Sequence, residues 1–460
     1  MLSNSTKSTL KPLEYAILIS SLAFTSIAVI SIGGSLGPLF LLGFAAVPFI
    51  IFLSTRYNGA YIILYLLITI TFLDDDEGIQ LIEMPFFLSS VLLCLYFGLQ
   101  LIKGSLQLKN VLDKAYLLFI LLLGFSLVFG IMNGANIYKS LGEFTLFFGW
   151  FLYFPLRKYL DNGKFRTILF WTLGIIVAYV LIRNILNYRA ILIQAVLPWQ
   201  AEKARVAANE LILLIGAVFS MSYAAIVTSR FKQIISTLLF LALVGGLVMT
   251  QSRGYWIAFA FSALSIFVVI NKSGKLRILY TFIFISSVSL LFASLFFSDL
   301  LDLVITGIVN RFQSIGSGKL DISLLERVLE SQKVLQKIIL NPVMGYGLGV
   351  EFTKKILFYD YFIPTSYVHL GYLATWYKFG IFGLLLNLYI WIYTLIKSAQ
   401  LYKITKNPIY KTLLLTIVGS MAGIVLVNIT SPQILTFEGN LFIAVFGAFI
   451  SYLYGAKSES

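Results

Sequence analysis

Charge, cysteine and histidine are all scarce in this 460-residue sequence. Charged residues make up 12% of it, too few to cover the surface of a water-soluble protein of this length. A single cysteine, Cys94, excludes an intramolecular disulfide and any cysteine-based metal cluster. A single histidine, His369, excludes a multi-histidine metal site. Acidic residues number 20 against 34 Lys and Arg, a net charge of +14. In a soluble protein that excess would suggest nucleic acid. Here the basic residues sit mostly in short loops between apolar runs, so no nucleic-acid partner is implied. There is no internal repeat and no low-complexity tract.

What the chain has in abundance is apolar length. Hydrophobic residues reach 59% and mean hydropathy is +0.92. A helix needs ~20 mostly apolar residues to cross a bilayer. Such runs fall at roughly 13–31, 36–54, 59–73, 85–102, 115–132, 140–156 and 167–182. Others fall at roughly 209–229, 232–250, 254–271, 276–298, 380–398, 411–429 and 438–454. The expectation is an all-α fold, a polytopic transmembrane bundle of about 12–14 helices. Lys7 and Lys11 precede the first run and no small-residue cleavage site follows it, which reads as a retained helix.

Loop charge predicts the orientation. With the N-terminus inside, the inner loops carry Arg56, then Lys103, Lys109 and Lys114, then Arg157, Lys158, Lys164 and Arg166. Arg230 and Lys232 follow, then Lys272, Lys275 and Arg277, then Lys397, Lys403, Lys406 and Lys411. The short outer loops hold the acidic run Asp74 to Glu77 and hardly any cation. Both termini are therefore expected inside. Two outer loops are long, at about 183–208 and 299–379. Three parts result: an N-terminal bundle over 1–298, an extracytoplasmic loop over 299–379 and C-terminal helices over 380–460. In that second loop Ser323 and Glu326 read as a capping box. Leu325, Val328, Leu329, Leu335, Ile338 and Ile339 recur at helical spacing until Asn341-Pro342. The segment is too polar to span and predicts an amphipathic helix on the outer membrane face.

Four ionisable residues share the outer side in this topology: Arg205, Arg253, Arg327 and His369. Ionisable groups at helix ends that face a shared cavity are candidates for function. Arg253 stands in Gln251-Ser252-Arg253-Gly254-Tyr255-Trp256. It can snorkel to head groups, or its fork of donors can clamp a diphosphate, with Gly254 admitting a ligand to the backbone. Arg205, just before Asn209 and Glu210, can be a solvated loop charge. Arg327, near Glu326 and Glu330, can be half of a surface ion pair. Arg311 is similar. His369 can be a structural residue or a general base, since a neutral imidazole accepts a proton from a sugar hydroxyl near neutral pH. Gly345-Tyr346-Gly347-Leu348-Gly349 can cradle a phosphate or form a flexible re-entrant turn. Asp74 to Glu77 is a rival site for a cation or a base, or a solvated turn.

Taken in order, these motifs resemble the O-antigen ligase and O-antigen polymerase superfamily of bacterial envelopes. The likeness is carried by Ser252-Arg253-Gly254-Tyr255-Trp256 opening a helix, and by Arg327 followed by a helix, Asn341-Pro342 and the glycine run. His369 with Gly380 and Gly383 completes it. It covers roughly residues 200–400. The ligase pattern has Asn, Ser or Gln directly after the histidine, where this chain has Leu370, which leans towards a polymerase. The resemblance implies glycosyl transfer without metal or cofactor, at the outer face of the bacterial cytoplasmic membrane. The donor would be a glycan on undecaprenyl diphosphate and the acceptor a glycan hydroxyl. His369 would act as base, and Arg205 and Arg253 would hold the diphosphate, assisted by Arg327. Flippase and chain-length regulator proteins are implied as partners. Attachment of finished chains to lipid A-core is the alternative within the family. Outside it stand a flippase or transporter, and a polyprenyl-monophosphate glycosyltransferase built on Asp74–Glu77.

Overall fold

Long apolar runs have no way to satisfy their backbone in lipid except by closing it on itself, and helices result. The structure is a computed structural model that describes residues 59–73, 83–104, 106, 108–194, 205–206, 208–296, 322–357 and 361–458. The expected spans at 13–31 and 36–54, the acidic run Asp74–Glu77 and Arg311 lie outside the described residues.

The chain groups into two compact units, Met1–Leu92 and Leu93–Ser460. In the first, α1 (Ala60–Phe72) faces the start of α2 (Met84–Ile102). Tyr65 and Ser90 share a hydrogen bond of 3.0 Å, and Phe72 stacks on Phe86 with centroids 4.1 Å apart. The second unit continues with α3 (Val111–Met132), α4 (Ile137–Thr145), a 3-10 turn (Phe148–Leu152) and α5 (Tyr153–Tyr159). Next come α6 (Gly163–Gln194), α7 (Glu210–Ile226), α8 (Arg230–Met249), α9 (Arg253–Val269) and α10 (Lys272–Phe296). Then follow α11 (Ile322–Leu340), strands β1 (Phe352–Ile356) and β2 (Tyr361–Thr365), α12 (Gly371–Ile404), α13 (Pro408–Val427) and α14 (Phe437–Ser458). Among the described residues seven helices are long and apolar enough to cross a membrane, and α1, α7 and α9 are shorter apolar helices. The protein is an all-α polytopic membrane protein.

α13 and α14 form the centre. Leu414, Met421, Ile424, Leu441 and Ala448 are fully enclosed, against α7, α9 and α12. The outer helices turn large apolar side chains outwards, among them Leu118, Trp171, Leu238, Val268 and Leu385. Such a surface needs lipid rather than water. At one end of the unit the short basic loops meet. Asp113 is fully buried there and accepts from Lys109 N, Asn110 N, Tyr153 Oη and Ser451 Oγ while pairing with Arg157. Arg166 reaches Tyr452, and Arg277 reaches the carbonyl of Val227. α14 runs from this end, at Ser451, to the other end, at Phe437.

Several expectations are corrected. The run at 140–156 is not one span but α4, the 3-10 turn and α5. Asn440 fastens the break: it accepts from Trp150 Nε1 at 2.6 Å and donates to the carbonyl of Leu146 at 2.8 Å. A hydropathy window cannot foresee that a side chain of another helix will satisfy an interrupted backbone. The loop expected from 183 begins later, because α6 continues to Gln194. Ser323 is no N-cap, since it lies inside α11, and the Glu326 carboxylate accepts from Leu357 N at 2.9 Å instead.

The backbone donors of the glycine run are taken up within the protein rather than left for a phosphate. Every N–H from Gly345 to Gly349 already has a protein acceptor: Asn341 O, Tyr377 O, Lys378 O, Ser126 O and Glu143 Oε2 in order. Gly347 has φ 89°, and a Cβ there would stand 2.2 Å from Gly130 N. Gly380 has φ 67° and kinks α12. A Cβ on Gly380 would meet Val343 O at 1.9 Å. The run is thus wedged backbone to backbone between the end of α3 and the kink of α12. The fully buried Lys378 bonds both oxygens of Glu143 at 2.7 Å and seals the wedge. A hairpin, β1 antiparallel to β2 from Phe352↔Thr365 to Ile356↔Tyr361, completes the described part of this loop and was not foreseen.

Candidate active site

The site is assembled on α11. Glu330, Val334 and Ile338 recur every four residues, and all three are buried, at 1%, 0% and 0% exposure. The inward face of α11 therefore shares Ile338 with the apolar series read from sequence but adds Glu330 and Val334. Val328, Leu335 and Ile339 from that series point outwards. Burying a carboxylate in such a stripe is costly unless it is paired and hydrogen-bonded.

Glu330 is paired fully. Its Oε1 accepts from the backbone N of His369 at 2.7 Å, and its Oε2 lies 2.8 Å from His369 Nδ1. Lys354 Nζ, from β1, is 3.1 Å from the same Oε2. Burial by itself would raise this carboxyl; the hydrogen bonds from His369 and Lys354 outweigh it and hold Glu330 below the usual carboxylate range. An ionised carboxylate only accepts, so the proton of a neutral His369 ring resides on Nδ1. That leaves Nε2 with its lone pair on a side chain still 29% exposed. Tyr367 stands edge-on to the imidazole, with centroids 5.0 Å apart and planes at 89°.

A second element gathers the arginines. The turn from Asn428 to Thr436, between α13 and α14, is braced internally by Asn428 Oδ1 accepting from Gln433 N at 2.9 Å. Arg327 Nη1 donates to the carbonyl of Thr430 at 3.2 Å. Beside it, a Cβ on Gly254 would stand 2.7 Å from Thr430 Oγ1. Gly254 thus admits Thr430 to the start of α9, where Arg253 opens the helix, rather than admitting a ligand. Gln433 Nε2 donates to Tyr255 Oη at 2.9 Å. Gly371 N, two residues past His369, donates to Asn428 O at 2.9 Å. One turn therefore ties the start of α9, Arg327 and the segment carrying His369 together.

Arg205 is joined less directly. It is exposed, and its neighbour Val206 donates to Met249 O at 3.4 Å, four residues before Arg253. Arg327 forms no pair with Glu326 or Glu330 of the kind the sequence suggested; those carboxylates serve Leu357 and His369. Three features escaped the sequence reading: Glu330 as partner of His369, Lys354 as its counter-ion, and the 428–436 turn. A carboxylate in register with Val334 and Ile338 was a readable signal for the first. Nothing local marked the other two.

Residues 238–388 match the family described as O-antigen ligase. The matched segment contains Arg253, Arg327, Glu330, Lys354 and His369; Arg205 and the 428–436 turn lie outside it. No curated protein matches the chain.

Proposed function

We propose that this chain, which belongs to the O-antigen ligase and polymerase superfamily through residues 238–388, transfers a glycan from undecaprenyl diphosphate to a sugar hydroxyl. Within the superfamily's ligase- or polymerase-type chemistry, we read it as a polymerase of O-antigen, capsule or exopolysaccharide repeat units. The active site faces outwards from the bacterial cytoplasmic membrane, with both chain termini inside. Flippase and chain-length regulator proteins would supply and time the donor.

One observation carries the reading: a buried carboxylate holds both the ring and the backbone of His369, so that Nε2 is the nitrogen left to act. In the proposed step Nε2 takes the proton of the acceptor hydroxyl. The acceptor oxygen attacks the anomeric carbon, and the bond from that carbon to the diphosphate oxygen breaks. Its electron pair leaves with the diphosphate, whose charge grows in the transition state. Arg327, bonded to the turn, Arg253 at the start of α9 packed on that turn, and Arg205 beside the end of α8 would meet that charge as donors. Glu330 would stabilise the imidazolium that forms, in the way a carboxylate supports a catalytic histidine elsewhere. The donor brings its own activation, so neither ATP nor a metal is needed in this scheme.

The test is transfer by purified protein supplied with its lipid-linked donor. His369→Ala and Arg253→Ala should each lower transfer by at least ~10²-fold, the lower end for general-base and oxyanion-type contributions. Both variants should still insert and accumulate. Near-normal transfer by His369→Ala would reject the scheme. Attachment of finished chains to lipid A-core remains the second reading, with the same residues in the same roles.

A further inference from the structure

The geometry points to a second binding region beside the proposed reaction centre: a subsite for the saccharide of the acceptor, in the cleft between the α3–α4 turn and the Tyr346–Glu351 segment. The inference rests on the transfer reading above and extends it. The cleft encloses about 330 Å³ and is lined by Asn133, Asn136, Lys337, Tyr346 and Glu351, among others. That volume is at the small end of ligand sites.

Its lining is suited to hydroxyl groups. Each sugar hydroxyl both donates and accepts, so a saccharide site needs donors and acceptors interleaved. Here two carboxamides, a carboxylate and an ammonium line one cleft, with Asn136 Oδ1 also accepting from Tyr138 N. Lys337 Nζ donates to Glu351 O at 2.8 Å and lies 5.6 Å from the centre of the Tyr346 ring. Lys139 pairs with the Glu351 carboxylate from the rim. A phosphate site would instead gather cations, without a carboxylate among them.

The walls are preformed. Asn133 Nδ2 donates to Tyr346 O at 2.9 Å, and Ser140 Oγ donates to Leu348 O at 3.0 Å. Gly349 N donates to Glu143 Oε2 at 2.7 Å. Walls already fixed need no ordering when a ligand binds.

Helix α11 supplies the ruler. Arg327, Glu330 and Lys337 lie along it in that order. At 1.5 Å per residue, Glu330 is ~4.5 Å beyond Arg327, and Lys337 is ~10 Å further on. The proposed donor diphosphate meets Arg327 at one end and His369 stands at Glu330 in the middle. Lys337 and its cleft occupy the side away from the diphosphate, where the acceptor must approach. The acceptor hydroxyl at Nε2 would thus belong to a sugar whose neighbour along the chain sits in the cleft.

The experiment uses the full chain in lipid nanodiscs. The probe is the repeat-unit oligosaccharide released by partial hydrolysis of the host cell's own surface glycan, titrated by saturation-transfer NMR. Ala135→Trp fills the cleft without removing any polar partner, and Glu351→Gln removes the carboxylate's charge while keeping its shape. Wild type should bind the probe, and both cleft variants should bind about tenfold or more weakly than wild type. If Ala135→Trp fails to fold, Glu351→Gln decides. Equal binding by wild type and Glu351→Gln, or no binding by wild type, overturns the subsite. Transfer is assayed on the same preparations. An inactive His369→Ala with an overturned subsite leaves the transfer reading standing, and an active His369→Ala sinks that reading whatever the titration gives.

Discussion

In the proposed scheme Glu330 is the residue on which the chemistry turns. With Glu330→Ala, three donors lose their acceptor at once: His369 Nδ1, His369 N and Lys354 Nζ. Glu330→Gln keeps the shape but replaces one acceptor oxygen by a donor. Transfer by Glu330→Gln should fall at least tenfold, towards the full ~10²–10⁴ of general-base assistance. The same carboxylate leaves a mark on stability. Its folded-state value is depressed, so the native protein binds this proton less readily than the unfolded chain does. Its contribution is complete above the ordinary carboxylate range and drains away as pH falls through the depressed value. Thermal unfolding in detergent should therefore show a steeper loss of stability on acidification in wild type than in Glu330→Gln. Parallel curves would mean that the carboxylate is not held ionised.

At the scale of elements, the glycine run of the loop bearing His369 is held by a close backbone wedge together with its hydrogen bonds. Gly347 combines φ 89° with a backbone neighbour 2.2 Å from where a Cβ would lie. Gly347→Ala should therefore destabilise by about 2 kcal/mol or more, as strained and overpacked sites do. Gly124, on α3, has nothing within 4 Å of a Cβ. Gly124→Ala should be neutral or stabilising by about 0.5–1 kcal/mol. Unfolding midpoints of the two variants in one detergent test the contrast, and a tolerant Gly347 would show that the wedge is dispensable. The amphipathic α11 was legible from its spacing and from Asn341-Pro342. Its inward face was not, because Val328, Leu335 and Ile339 are apolar by sequence yet face outwards. An amphipathic helix between protein and bilayer has two apolar sides, and hydropathy does not say which neighbour each one meets.

At the larger scale, within the second unit the described basic short loops gather at one end of the helices and the 428–436 turn, which bonds Arg327 and Gly371, lies at the other, as α14 shows by touching both. The proposed polymerase makes a definite claim about the cell. A strain lacking this chain should carry single repeat units on its acceptor. Full-length but unattached chains in that strain would instead identify a ligase. Either outcome preserves the residue roles above, because both reactions need the same base and the same diphosphate clamp.

Composition and periodicity were enough for the helical membrane class and for most helix positions, because crossing a bilayer imposes demands that show locally in a chain. Helix breaks and partners were decided only in three dimensions. Asn440 interrupts a run that reads as one span, and Glu330 leaves its helical neighbour Arg327 to hold His369, 39 residues away. The Asn428–Thr436 turn joins three distant segments. A buried polar group takes whichever partner the fold brings within 3 Å, and sequence distance has no bearing on that choice.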